Sequence, residues 1–321
     1  MPTLLSIEAL ETDRQFVERR RTEDDSPWGT ARLMWDQRLR EIDEKIAEAK
    51  SRRSSFASVA LIFDGLPVIG QGDIRLDFTT DALASYQKVI AAALASQGDN
   101  PVATKGKIKG AGKSKLFIRD IVRGSMGFIL EELAAPQADL FDTPLKSAVE
   151  QATDLIEKLN QASTDEFNSA IESSAPRLVG ALQKFTKVLK DAGATTRIVG
   201  DEHRVALGLE EIRRLSDRFS DVEVTEEDVF HDGLLLGILP DSHEFELQLQ
   251  EDHGTLKGSV TDDLTFKYVT DQAFKEQLLL KPVKALVKYT RTSRNGRLIK
   301  QQVSLENLEP RSEDDLISLG E

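Results

Sequence analysis

The chain has 321 residues, 40% of them hydrophobic and 30% charged, which is enough for two domains that each bury a core and excludes wholesale disorder. Its 55 acidic and 42 basic side chains leave a formal charge of -13, which excludes a surface that attracts polyanions over its whole extent. There is no cysteine, so disulfides and thiolate metal sites are excluded.

A cysteine-free chain fits a reducing compartment. The acids in Met1 to Glu11, and the lack of any apolar run of about 18 residues, argue against a signal peptide and a membrane span, so a cytoplasmic protein with no membrane partner is expected. Leu4 to Glu23 is helix-like and ends in Arg19-Arg20-Arg21, cations suited to a helix C-terminus. Asp24-Asp25-Ser26-Pro27 stops it and opens a second helix to about Arg53, with Trp28, Ala31, Trp35, Leu39, Ile42, Ile46 and Ala49 in one stripe. The resulting helical hairpin, 1–54, packs on its own domain or pairs with a second copy, so a homo-oligomer through these helices is one expectation.

Phe56 to Phe63 reads as a buried strand and Asp64-Gly65-Leu66-Pro67 as a turn. Asp73 to Phe78 reads as an alternating strand with Ile74, Leu76 and Phe78 on one face, after which Thr80 caps a helix to about Ala95. Ser96 to Lys115, rich in Gly and Lys, reads as a surface loop. Leu116 to Val122 and Met126 to Leu133 form a hairpin around Arg123-Gly124-Ser125. Thr143 with Pro144, Ser163 with Glu166 and Ser174 with Pro176 open three helices, the last ending near Gly193. Thr195 to Val199 and His203 to Leu207 make another hairpin, and a helix follows from Leu209 to Phe219. Strands joined by short turns, without helical crossovers, make 55–222 an antiparallel α+β domain.

Beyond Gly233 come a short apolar segment (Leu234 to Ile238), an alternating one (His243 to Gln250) and a third (Thr255 to Val260). An amphipathic span (Phe266 to Leu279) and two alternating segments joined by Asn295-Gly296 complete the series. The order strand, strand, strand, helix, strand, strand resembles the small OB-type barrel, which implies a binding module over 223–309 without identifying its ligand. Residues 310–321 read as an acidic disordered tail. The fold class expected is therefore α+β, with an N-terminal helical hairpin and an antiparallel α+β domain followed by a C-terminal OB-like β-barrel.

Gly110-Ala111-Gly112-Lys113-Ser114 looks like the end of a phosphate-cradling loop, but the glycine required five residues before Gly112 is replaced by Lys107. What remains is a basic loop whose Lys107, Lys109 and Lys113 are candidates for phosphate contact. His203, His231, His243 and His253 show no helical pairing, so neither a metal site nor a cofactor is expected. Asp64, Asp73, Asp77, Asp120, Glu131 and Glu132 lie in or beside strands and would suit a metal-dependent nuclease or phosphodiesterase if they converge.

The stronger signal is the last hairpin, where Lys281 to Gln302 holds seven basic residues and no acid. Alternation turns Val283, Ala285, Val287, Tyr289, Ile299, Val303 and Leu305 inward and places Lys284, Lys288, Lys300 and Gln302 on the outer face, with Arg291, Arg294 and Arg297 clustered at the turn. Lys284, Lys288, Arg291, Arg294, Arg297 and Lys300 are therefore the candidate contacts to a nucleic acid or an acidic protein partner. Against a nucleic acid stand Glu244, Glu246 and Gln248 on the second and third strands, offset only by Lys257, and the lack of an outward aromatic there. The same charges would also discourage aggregation at a solvated sheet edge. The leading expectation is a non-catalytic binding or adaptor protein; the alternatives are the metal-dependent enzyme and a structural subunit of a larger assembly.

Overall fold

The computed structural model describes residues 2–22, 30–51, 54–70, 73–97, 114–122, 126–133, 141–250 and 254–311. The loop candidates Lys107, Lys109 and Lys113, the turn Arg123-Gly124-Ser125, His253 and the tail from 312 lie outside them. The elements begin with α1 (Thr3–Thr22), α2 (Thr30–Ser51), β1 (Ser58–Gly65), β2 (Val68–Ile69), β3 (Asp73–Ile74) and α3 (Leu76–Ala95). Next come β4 (Leu116–Val122), β5 (Met126–Glu132), α4 (Pro144–Gln161), α5 (Thr164–Ser173), α6 (Pro176–Ala192), β6 (Ala194–Val199), β7 (Arg204–Leu207) and α7 (Leu209–Ser220). The chain closes with β8 (Val222–Leu239), β9 (Glu244–Leu249), β10 (Thr255–Val260), α8 (Asp262–Thr270), α9 (Gln272–Leu278), β11 (Pro282–Arg294) and β12 (Arg297–Pro310). None of the described helices is long and apolar enough to cross a membrane. The protein is α+β and divides into two compact units, one of Met1–Leu94, Gly110–Ser163 and Lys184–Ser216, the other of Ala95–Lys109, Thr164–Gln183 and Asp217–Glu321.

In the first unit five strands pair antiparallel in the order β4-β5-β1-β6-β7. The apolar run of β1 is buried on both faces, as an unbroken run in a central strand requires. Phe63 meets Phe78 of α3 edge to face at 5.2 Å, while Ala60 and Ile62 pack with Leu5 of α1. The sheet thus claims α1 for its own unit, and α2 lies along α1 with ion pairs Arg14 to Asp43 and Arg21 to Asp36, both 2.7 Å.

One expectation fails here: residues 76–78 are helix, not strand. The carbonyl of Arg75 accepts from both the amide (3.0 Å) and the hydroxyl (2.8 Å) of Thr79, and Arg75 pairs with Asp77 at 2.6 Å in the first turn. The buried series Phe78, Ala82, Tyr86, Val89, Ile90 and Ala93 has helical spacing, and Leu76, which suggested period two, is exposed.

In the second unit β10, β12, β11, β8 and β9 pair in a closed cyclic order. All pairings are antiparallel except β10 with β12, which meet in parallel at Ser259↔Ser304 and Val260↔Leu305. Gly258 makes this closure possible, since a Cβ there would stand 2.4 Å from the carbonyl oxygen of Val303. Leu235, Phe245, Leu247, Val260, Val283, Ala285, Val287 and Leu305 fill the ring, with Leu264, Tyr268 and Leu278 from the helices between β10 and β11. The single helix expected over 266–279 starts earlier and is broken: Asp271 gives its amide to Lys267 O (2.9 Å) to end α8, and its carboxylate accepts from Phe274 N (3.0 Å) to start α9.

Candidate functional site

The basic hairpin forms as its residues dictate. Asn295 and Gly296 both have positive φ, 51° and 75°, the conformation of a two-residue turn that matches strand twist. β11 pairs on one side with β12 and on the other, over its full length, with β8, from Pro282↔Leu234 to Arg294↔Val222. The first half of β8, Val222 to Asp228, shows no strand period in the sequence, because it carries acids where an alternating apolar strand would carry a core face. Those acids decide the electrostatics.

Lys284 stands opposite Asp232, and Lys288 opposite Asp228, on the outer side of the sheet. Lys284 also lies over the ring of Phe230 at 4.7 Å, and Lys288 is 3.4 Å from Glu306 on the other neighbour. Arg311 holds Asp232 as well. The run of cations without an acid is thus a property of the sequence, while in three dimensions an acidic strand runs beside it.

Arg291, Arg294 and Arg297 are not brought to one surface. Arg291 projects from the face that carries Tyr289, bonded to Glu227 (2.6 Å) and Gln301 (3.1 Å). Beneath it the Tyr289 hydroxyl meets His231 Nε2 at 2.8 Å. Arg294 projects from the opposite face against α5, donating to Asn168 Oδ1 at 2.6 Å and lying over Phe167 at 5.1 Å. Lys300 shares the face of Lys284 and Lys288, but α5 ends over it and its ammonium donates to the carbonyl of Ser174 at 3.2 Å. Burial pulls the Lys300 amine below its ordinary value, with Glu172 acting in the other direction. Lys284 and Arg297 are the exposed members of the six, and Arg297 makes no contact of this kind among the described residues.

Of the residues expected inward, Val283, Ala285, Val287 and Leu305 are buried, and Tyr289 and Val303 pack against them. Ile299 lies where the β11–β12 register slips between Thr292 and Ser293, and it stays out of the core cluster. Glu246 and Lys257, on the outer side of β9 and β10, pair with each other at 2.5 Å.

The first-domain carboxylates do not converge. Asp64 caps the amide of Gly65 (2.7 Å), Asp77 holds Arg75, Asp120 takes the amide of Ile121 (2.8 Å), and Glu132 accepts from Ala57 N (3.0 Å) and Thr143 Oγ1 (2.6 Å). Among the described residues no group of three or more His, Asp or Glu is placed to hold a metal ion.

The first unit also buries a charge cluster that no sequence motif signals. Lys146, 2% exposed, donates to the carbonyl of Ser54 and lies 3.3 Å from Asp142 and 3.8 Å from Asp201. Asp201 in turn accepts from Thr3 N at 2.6 Å, and Glu150 accepts the amides of Asp201 (2.8 Å), Glu202 (3.2 Å) and His203 (2.9 Å). The cluster fastens α1, the approach to β1, α4 and the β6–β7 turn to one another. Beside it a cleft of about 360 Å³ is lined by Glu8, Glu157, Asn160, Arg197, Arg204 and Ala206 among others. Glu8 and Arg197 close part of it with a two-oxygen ion pair at 2.5 and 2.6 Å. No protein-family model matches this chain, and neither a curated protein nor a solved structure matches it.

Proposed function

We propose that this protein is a non-catalytic binding or adaptor protein whose second unit is an OB-like barrel, and that its partner is a protein surface. The cyclic order supports the barrel reading: numbering the ring's strands along the chain, it runs first, second, third, fifth, fourth, with the helical segment between third and fourth. The observation that carries the choice of partner is the register of β11 on β8, which sets Lys284 against Asp232, Leu286 against Phe230 and Lys288 against Asp228. Phe230 is 59% exposed between these charges. An aromatic flanked by charges of both signs suits a protein interface, whereas a phosphate backbone needs cations that no neighbouring acid compensates.

The test is site-specific photo-crosslinking from position 230 in cells that make the full chain, with position 209 on α7 as control. A discrete adduct to one protein from position 230 alone is the expected result. Salt-sensitive retention of single- or double-stranded nucleic acid by the purified protein, abolished by K284A/K288A, would replace this reading with the polyanion one.

A further inference from the structure

The outermost strand of the first unit's sheet, β4, exposes Phe117 (46%), Ile118 (57%) and Ile121 (49%), and among the described residues only β5 pairs with it. An apolar edge of this kind is a template for another strand. Within it, Phe117-Ile118-Arg119-Asp120-Ile121-Val122 places two apolar residues on either side of one cation and one anion, a pattern that is symmetric in its apolar positions and complementary in its charges. Two such strands laid antiparallel with Ile118 opposite Ile121 of the second copy put Phe117 opposite Val122. The same register sets Arg119 opposite Asp120, and Asp120 opposite Arg119. Every contact then occurs twice about a two-fold axis, as a closed dimer requires.

In an unbroken strand this register is forbidden. It pairs even with odd positions, while edge amides and carbonyls point outward only at alternate residues, so one member of each pair would turn its groups away. The irregularity between Ile118 and Asp120 on the β5 side removes the obstacle, because Arg119 is the extra residue of a bulge. Ile118 faces Leu130 and Ile121 faces Phe128, two positions on the same side of β5. The bulge thus gives Ile118 and Ile121 a common face and a common hydrogen-bonding direction, with Arg119 and Asp120 between them at the two-fold axis. Arg119 is 77% exposed and meets Glu131 only at 3.9 Å, so its guanidinium is available to a second chain.

We propose that two copies of this chain pair edge to edge through β4, antiparallel, with Ile118 on Ile121 and Arg119 on Asp120 of the second copy. The surface is separate from the barrel face assigned above, and the two readings stand or fall independently. The test is sedimentation velocity on the full chain and its charge variants. Wild type is expected to dimerise, and R119D and D120R, which each oppose like charges, should weaken dimerisation about tenfold or more. Mixing R119D with D120R restores both opposite pairs and should restore the dimer. A wild type that stays monomeric up to about 100 μM, or a dimer that R119D leaves intact, overturns the proposal. Because the chain has no native cysteine, I118C mixed with I121C gives a second readout: an oxidised heterodimer is expected, and its absence under conditions where the wild type dimerises sinks the register.

Discussion

Lys146 shows what a single buried charge does in this protein. Its side chain is 3% exposed and stands between Asp142 and Asp201, the latter 6% exposed, so it compensates two carboxylates in a medium that screens poorly. K146M is expected to cost about 3 kcal/mol in urea unfolding, because it leaves the Asp201 carboxylate buried without a counter-charge, and K146M/D201N should recover part of that loss. An unchanged midpoint for K146M would show that the clamp is dispensable. Glu150, in the next turn of α4, has its carboxyl raised above the ordinary 4.5, first by burial, with the amides of Asp201, His203 and Glu202 pulling down and the charge of Asp201 pushing up. A raised folded-state value means that the native chain holds this proton more tightly than the unfolded one. The contribution to stability is therefore full below the unfolded-state value and lost as pH rises through the folded one. The difference in unfolding free energy between wild type and E150Q should accordingly fall from acid towards neutral pH; a flat or rising difference contradicts the assignment.

At the scale of elements, α5 on the β11–β12 ribbon turns a candidate binding site into internal packing. Arg294 is 13% exposed, bonded to Asn168 and stacked on Phe167, whereas Arg297, three residues away, is exposed. R294A is expected to destabilise the protein by about 2 kcal/mol through a lost charged hydrogen bond and ring contact, and R297A by less than about 0.5 kcal/mol. Equal effects measured by denaturant titration would mean that α5 does not hold Arg294 in solution. The misread strand at 76–78 belongs to this scale too. Ile74, Leu76 and Phe78 alternate, yet Phe78, Ala82 and Tyr86 also recur every four residues, and only the helix buries its apolar members.

For the whole molecule the question is how a charge of -13 is distributed. The hairpin cations sit beside β8 and its acids, so their field is cancelled at close range. D228N/D232N removes two of those acids, and it is expected to make the protein bind heparin in a salt-sensitive way that the wild type does not show. Retention unchanged from wild type would place the compensation elsewhere.

Local order in this protein follows from its residues taken a few at a time. The buried run of β1, the caps and prolines that open α4 and α6, the Asn295-Gly296 turn and the inward series Val283, Ala285 and Val287 follow from propensity, capping and period, which act within a few residues. What the charged candidates do depends on the packing of distant segments. Whether Arg291 has a counter-charge depends on Glu227, sixty-four residues earlier in the chain, and whether Lys300 faces water depends on a helix far upstream of the strand it covers. Charge and burial are set by neighbours in space, and a strand whose apolar pattern is diluted by acids gives no periodic sign that it will supply them.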